Sequence, residues 1–145
     1  MTIIVDTNIL ISALLNPNSS IGEMLMRGLV NVPKYSCYFL FVEVFDKKEK
    51  IIKYARMEEA KVLELLLLTL KKIQFFNENQ ISAANKQQAR QLTEDIDVKD
   101  VSFVALAIEL NAKLWTGDKK LYKGLKVKGF DDVVNLSDLR EIMKK

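Results

Sequence analysis

The amino-acid sequence predicts an α/β fold built on a mainly parallel sheet of four to five strands. Three observations carry this. Short apolar runs suited to buried strands recur at Ile3–Val5, Tyr35–Cys37, Ile73–Phe76 and Lys113–Thr116. Stretches with helical spacing of apolar residues lie between them, which is the alternation expected of parallel strands joined by helical crossovers. Two of the strands, the first and the fourth, run into a carboxylate, Asp6 and Asp118. Right-handed crossovers would bring the carboxyl ends of such strands to one edge of the sheet.

Ile3-Ile4-Val5 is β-branched and apolar throughout, as a strand covered on both faces would be, and Asp6 stands where it ends. Thr7 and Asn8 suit a turn or a helix start, and Asp6 itself is a good cap. A short helix is expected from Asn8 to Leu15, stopping near Asn16-Pro17-Asn18-Ser19. Ser19 or Ser20 then caps a second helix reaching Gly28, with Ile21, Met24, Leu25 and Leu29 at helical spacing. Val32-Pro33 breaks the chain before the second strand.

A helix is predicted from Tyr38 to about Tyr54, with Leu40, Phe41, Val44 and Phe45 as its apolar face. Glu43 sits among these residues. An ordinary surface pairing with Lys47, four residues on, is one reading of it. The next helix, about Arg56 to Lys72, is apolar over more than one stripe, which points to core and to a face shared with a second copy, Leu63 to Leu70 being a candidate. After the third strand, Asn79-Gln80 opens a weakly amphipathic helix through Leu92, with Ile81, Ala84, Gln88 and Leu92 in spacing.

The acidic stretch from Glu94 to Asp100 leads into Val101–Ile108, which is apolar almost all round and therefore the most buried helix. Asp97 is placed to cap it, with Asp100 in its first turn. Several acids at the mouth of a buried helix repel one another, and a bound cation would relieve that. After Thr116-Gly117-Asp118 a short helix begins at Lys119 and is expected to end at Gly124. Phe130 to Val134 is a candidate edge strand, and Ser137 is the expected cap of a terminal helix.

With 145 residues, 49% of them apolar, the chain is most simply one domain with a real core. A single cysteine, Cys37, excludes an internal disulfide and fits a reducing compartment. No signal peptide is expected, because Asp6 interrupts the first apolar stretch. The longest apolar run, Leu65 to Leu70, is too short to span a bilayer. A cytoplasmic protein is the expectation.

There is no histidine. Serine–histidine and cysteine–histidine nucleophilic sites, histidine bases and the usual zinc sites are therefore out of reach. The glycines are scattered singly, so there is no phosphate-cradling loop. A metal site would be built from oxygen ligands, which favours Mg²⁺ or Mn²⁺.

Val5-Asp6-Thr7-Asn8, Glu43 within a helix, Asp97-x-x-Asp100 ahead of Ala105-Leu106-Ala107, and Thr116-Gly117-Asp118 together resemble the PIN-domain nucleases. The likeness runs over essentially the whole chain. It implies a three-layer α/β/α fold with an acidic pocket that binds one or two Mg²⁺ or Mn²⁺ ions and hydrolyses RNA phosphodiester bonds. By this resemblance Asp6, Glu43, Asp100 and Asp118 are the catalytic acids and metal ligands, with Asp97 as an extra acid found in some branches. Thr116 and Asn8 would line the site. The resemblance further implies a homodimer and a role as the toxin of a toxin–antitoxin pair, partnered by a cognate antitoxin protein.

Elementary chemistry agrees. Phosphodiester hydrolysis without histidine needs another source of a nucleophile near neutral pH, and a carboxylate-held divalent ion provides one. Taking Asp6, Glu43, Asp97, Asp100 and Asp118 out of the 19 acids leaves 14 against 22 bases. An acidic pit with a basic rim suits a polyanion such as RNA, with Lys119, Lys120 and Lys47 as candidate rim residues. Two other readings are open. One keeps the fold as a non-catalytic RNA- or partner-binding module. The other, a phosphatase with Asp6 as nucleophile, needs a second Asp two positions on, where Asn8 stands.

Overall fold

The computed structural model describes residues 1–145. Five parallel strands form one sheet: β1 (Ile3–Val5), β2 (Lys34–Cys37), β3 (Gln74–Phe76), β4 (Lys113–Trp115) and β5 (Val133–Val134), in the order β3-β2-β1-β4-β5. β1 is central. The chain runs outward from it through β2 to β3, then returns to place β4 on β1's other side, with Val5 beside Trp115. The gap between β1 and β4 is thus the point where the winding reverses, and open α/β sheets bind their ligands beyond the carboxyl ends of the strands there.

Alternation along β1 divides the core between the two faces of the sheet. Ile4 belongs to a large cluster with Leu106, Leu114, Leu121 and Val133, whereas Ile3 and Val5 join Leu25, Leu29, Trp115 and Leu139 on the opposite face. The first cluster is covered by α7 (Val101–Glu109), which packs on β1, β2 and β4, with α6 (Ala83–Thr93) and α8 (Lys119–Val127) alongside. The second is covered by α2 (Ser20–Glu23), its π-helical continuation Met24–Gly28, and α9 (Leu136–Lys144). α1 (Thr7–Leu15) supplies both, Leu10 and Leu14 to one and Ile9 and Ala13 to the other. This is the three-layer α/β/α arrangement.

The expected helix from Tyr38 to Tyr54 is in fact two, α3 (Phe39–Asp46) and α4 (Lys48–Ala55), broken where Lys47 leaves helical geometry. α5 (Glu59–Leu70) starts later than expected because Arg56 adopts a left-handed conformation, with φ of 55°, that closes α4. On α5, Leu63, Leu67 and Leu68 are exposed, while Leu65, Leu66 and Leu70 pack on the core. α6 does not begin at Asn79: a single 3-10 turn spans Glu78–Gln80 and Ser82 caps the helix proper. Its buried residues are Ala89 and Thr93, leaving Gln88 outside.

Gly124 does not end α8. A Cβ there would stand 2.5 Å from Ile96 Cδ1, so glycine lets the helix lie against the Ile96 side chain and continue to Val127. Positive φ, 86°, comes later at Gly129. The last strand is only Val133–Val134, and α9 is capped by Asn135 rather than Ser137. Asn135 Oδ1 accepts from the Asp138 N–H at 2.8 Å, and Asp138 returns a carboxylate to the Asn135 N–H at 3.1 Å.

Candidate active site

The site grows from the strand ends. β1 stops at Val5 because Asp6 caps α1, its Oδ1 accepting from the Ile9 N–H at 2.9 Å. The cap leaves Asp6 only 4% exposed. At the end of β4 the same logic repeats. The Asp118 N–H donates to Thr116 Oγ1 at 3.0 Å, and Asp118 Oδ1 accepts from the N–H groups of Lys120 and Leu121 at 2.9 and 3.1 Å. Both carboxylates are therefore held by a helix start, which orients them and offers the positive end of a helix dipole. The two strands are neighbours, so the two caps flank the reversal point of the sheet.

Thr7 carries the arrangement across to α3. Its hydroxyl donates to Glu43 Oε1 at 2.7 Å, spanning 36 residues of sequence. Glu43 is half-buried and forms no pair with Lys47, so the surface-pair reading is displaced. The aim of α3 is set in turn by Glu78, which follows edge strand β3. Its two carboxylate oxygens accept from the N–H groups of Tyr38 and Phe39 at 3.2 and 2.9 Å. α3 has no cap of its own, and this remote carboxylate supplies one. Neither Thr7 nor Glu78 stood out in the sequence: Thr7 read as a helix start, and nothing local ties Glu78 to a residue 40 positions away.

Asp97 caps the 3-10 turn Val98–Asp100, accepting from the Lys99 N–H at 2.9 Å, rather than α7. Asp97 is exposed. Asp100 lies at the junction with α7 and makes no capping bond, so its carboxylate is free to serve the site.

Burial and crowding decide the electrostatics. Burial raises the Asp6 carboxyl from 3.8 to about 6; Glu43 and Asp118 push the same way, against the Thr116 hydroxyl and the Ile9 N–H. Asp100 rises to about 7, first by burial, then by repulsion from Asp97, Asp6, Asp118 and Glu43. The five predicted acids therefore share one electrostatic neighbourhood. No set of three or more carboxylates, with or without Cys37, is arranged to hold a single metal ion. Magnesium requires less: one or two carboxylates, with water completing its octahedron. An all-oxygen set of mutually repelling carboxylates, with Asp6 buried and Glu43, Asp100 and Asp118 half-buried, fits such a hard cation in donor type and in charge.

Of the lining residues, Thr116 is buried between Asp6 and Asp118, while Asn8 is exposed on the first turn of α1. Beside Asp118 a hollow of about 280 Å³ is lined by Thr116, Lys119, Tyr122, Lys123 and Asn135. Lys119 thus lines the hollow beside Asp118; Lys120 and Lys47, exposed like Lys119, do not line it. Lys123 is one of the basic residues that follow Asp118 in the sequence, and with Tyr122 it shares a face of α8 with Lys119. Asn135 joins them only because β5 lies next to β4, which the sequence does not show.

A parallel α/β sheet with a buried carboxylate, Asp6, beside half-buried Asp118 at its reversal point defines an acid-centred α/β protein. The chain belongs to the PIN domain family, whose model matches residues 4–138. Among solved structures it is similar to VapBC2 from Rickettsia felis, crystallised with a DNA fragment from the promoter. The TM-score is 0.67 at 18% identity, over 93% of this chain and 98% of that one. It is also similar to VapBC-1 from nontypeable Haemophilus influenzae, with a TM-score of 0.66 at 16% identity, over 94% of this chain and 99% of that one. At these identities the likeness is one of fold. A comparison with curated proteins finds no match.

Proposed function

We propose that this chain is a divalent-metal-dependent endoribonuclease, acting as one domain and serving as the toxin of a toxin–antitoxin pair. The observation that carries the reading is the crowding of buried Asp6 and half-buried Asp100, which repel one another, at the reversal point of the sheet. Asp6 and Asp100 would hold Mg²⁺ or Mn²⁺ directly, with Glu43 and Asp118 completing the charge around it, through water where they do not reach. When bound, the ion activates water near neutral pH and stabilises charge developing on phosphoryl oxygens.

The protein's own part is positional. The Ile9 N–H fixes Asp6, the Lys120 and Leu121 N–H groups fix Asp118, and the Thr7 hydroxyl fixes Glu43. Lys119 and Lys123 on the adjoining hollow would draw a phosphate backbone towards the acids. Membership of the PIN domain family supports nuclease activity, and the VapBC identity of the similar structures supports an antitoxin partner. A homodimer belongs to the same proposal: Phe41, Phe45, Leu63 and Leu67 leave apolar surface for a second chain.

The test is cleavage of RNA and DNA panels by the purified protein with Mn²⁺ or EDTA, beside Asp6→Asn and Asp100→Asn. Cleavage of RNA that needs the ion and both carboxylates is expected; cutting by folded variants at the parent's rate would refute the site. The exposed basic residues beside the acids leave one other reading open, a non-catalytic RNA- or partner-binding module. RNA bound but never cut in Mn²⁺ would select it.

A further inference from the structure

A second hollow, of about 200 Å³, lies between α6 and α7, away from the one beside Asp118. Its lining includes Lys86, Arg90, Val101, Ser102 and Glu78. Lys86 and Arg90 are four residues apart on α6 and so project from the same face. Neither forms an ion pair with any acid of the chain. Glu78 is the one acid on the lining, and both its oxygens are occupied by the Tyr38 and Phe39 N–H groups. Val101 and Ser102, the first residues of α7, form the lip of the hollow on that side. Ser102 adds a hydroxyl donor.

The position of the hollow matters as much as its chemistry. Ser102 is two residues past Asp100, and Glu78 is two residues past β3, the edge strand on one side of β1. The Lys119–Lys123 hollow reaches Asn135, directly after β5, the edge strand on the other side. The acids thus stand between two cation-lined hollows at opposite ends of one sheet edge.

We propose that the α6–α7 hollow is a subsite for a backbone phosphate of single-stranded nucleic acid, held by Lys86, Arg90 and Ser102 on the far side of the acids from Lys119. It fixes a strand that crosses the carboxyl edge of the sheet from the β5 side to the β3 side, with the phosphate to be attacked in the middle. The inference rests on the nuclease reading for its substrate class, but binding alone tests it.

The experiment measures binding of fluorescein-labelled single-stranded RNAs of 12 and of 4 nucleotides, by anisotropy in CaCl₂ over a range of NaCl, alongside cleavage in Mn²⁺. For the Lys86→Gln/Arg90→Gln variant the Kd for the 12-mer should rise about tenfold while the tetramer is little affected. The slope of log Kd against log salt should fall by about 0.7, the contribution of one phosphate contact on a single strand. The charge-conserving Lys86→Arg/Arg90→Lys variant should keep the parent's slope, separating lost charge from lost folding. An unchanged slope, or equal weakening for both lengths, overturns the subsite. So does unaltered RNA binding with weakened binding of polyglutamate, which would assign the hollow to an acidic protein partner. A parent that binds the 12-mer through these residues but never cuts it upholds the subsite and refutes the nuclease reading. A parent that cuts RNA with a salt slope indifferent to these residues does the reverse, and a parent that neither binds nor cuts overturns both.

Discussion

The Thr7 hydroxyl donates to Glu43 Oε1 at 2.7 Å, joining the residue next to the β1 carboxylate to the acid on α3. Thr7 is buried and Glu43 half-buried, so the bond is shielded from competing water. Thr7→Val keeps the shape and removes the donor. It should cost about 1 kcal/mol in stability and lower cleavage by roughly 10–100-fold, the range seen when a partner that orients a ligand is lost. Thr7→Ser should retain most of the rate. Melting curves with single-turnover cleavage check both; a Thr7→Val enzyme at full rate would remove Glu43's orientation from the mechanism.

The pH dependence of stability follows from the two raised carboxyls. Between about pH 4 and 7 the native chain keeps protons on Asp6 and Asp100 that the unfolded chain has released. The stabilisation is therefore full below about pH 4 and is lost as the pH rises through about 6 for Asp6 and about 7 for Asp100. Asp6 alone accounts for a loss of roughly 2–3 kcal/mol. Asp6→Asn keeps the helix cap and drops the charge, so without metal it should melt higher than the parent at pH 8 and show a flatter pH profile. Urea titrations in EDTA at pH 4, 6 and 8 test this. A steeper fall in the variant would contradict it.

Asp118 does two jobs, and two substitutions separate them. Asp118→Asn should keep the cap on α8, hold stability within about 0.5 kcal/mol and lose metal-dependent cleavage. Asp118→Ala should lose cleavage and also about 1 kcal/mol, since the Lys120 and Leu121 N–H groups lose their acceptor. Equal melting temperatures for the two variants would show that the cap contributes nothing.

Glu78 acts on the site through α3. Glu78→Ala removes the acceptor for the Tyr38 and Phe39 N–H groups and should cost about 1–2 kcal/mol. It should also speed amide exchange at those two residues selectively. Glu78→Gln, which keeps one acceptor, should fall between. Exchange measured by NMR distinguishes this local release from global destabilisation, which would raise exchange across α3 and the sheet alike.

Much of this was legible from residues alone because it depends on local rules. An all-β-branched Ile3-Ile4-Val5 has to be a strand covered on both faces, and an Asp followed by a helix has to stand at the strand's end. Repetition of that pattern at Thr116–Asp118 placed a second carboxylate at a strand end without any knowledge of the sheet. Boundaries were less secure where side-chain pattern and backbone geometry diverge. The apolar spacing across Lys47 continues through a break that only the backbone reveals, and Gly124 read as a helix end when its role is to admit Ile96.

By itself the sequence determined the alternation of strands and helices, the acids at their ends, and the all-oxygen character that the missing histidines impose. Only the tertiary structure decided the strand order that sets Asp6 beside Asp118, the burial that lifts Asp6 and Asp100, and the bonds from Thr7 to Glu43 and from Glu78 to α3. The reason is physical. A cap or a strand is specified within a few residues, but the proximity of groups 36 or 40 positions apart is specified by the packing of the whole sheet. The desolvation that sets a carboxyl's proton affinity exists only once that packing has excluded water.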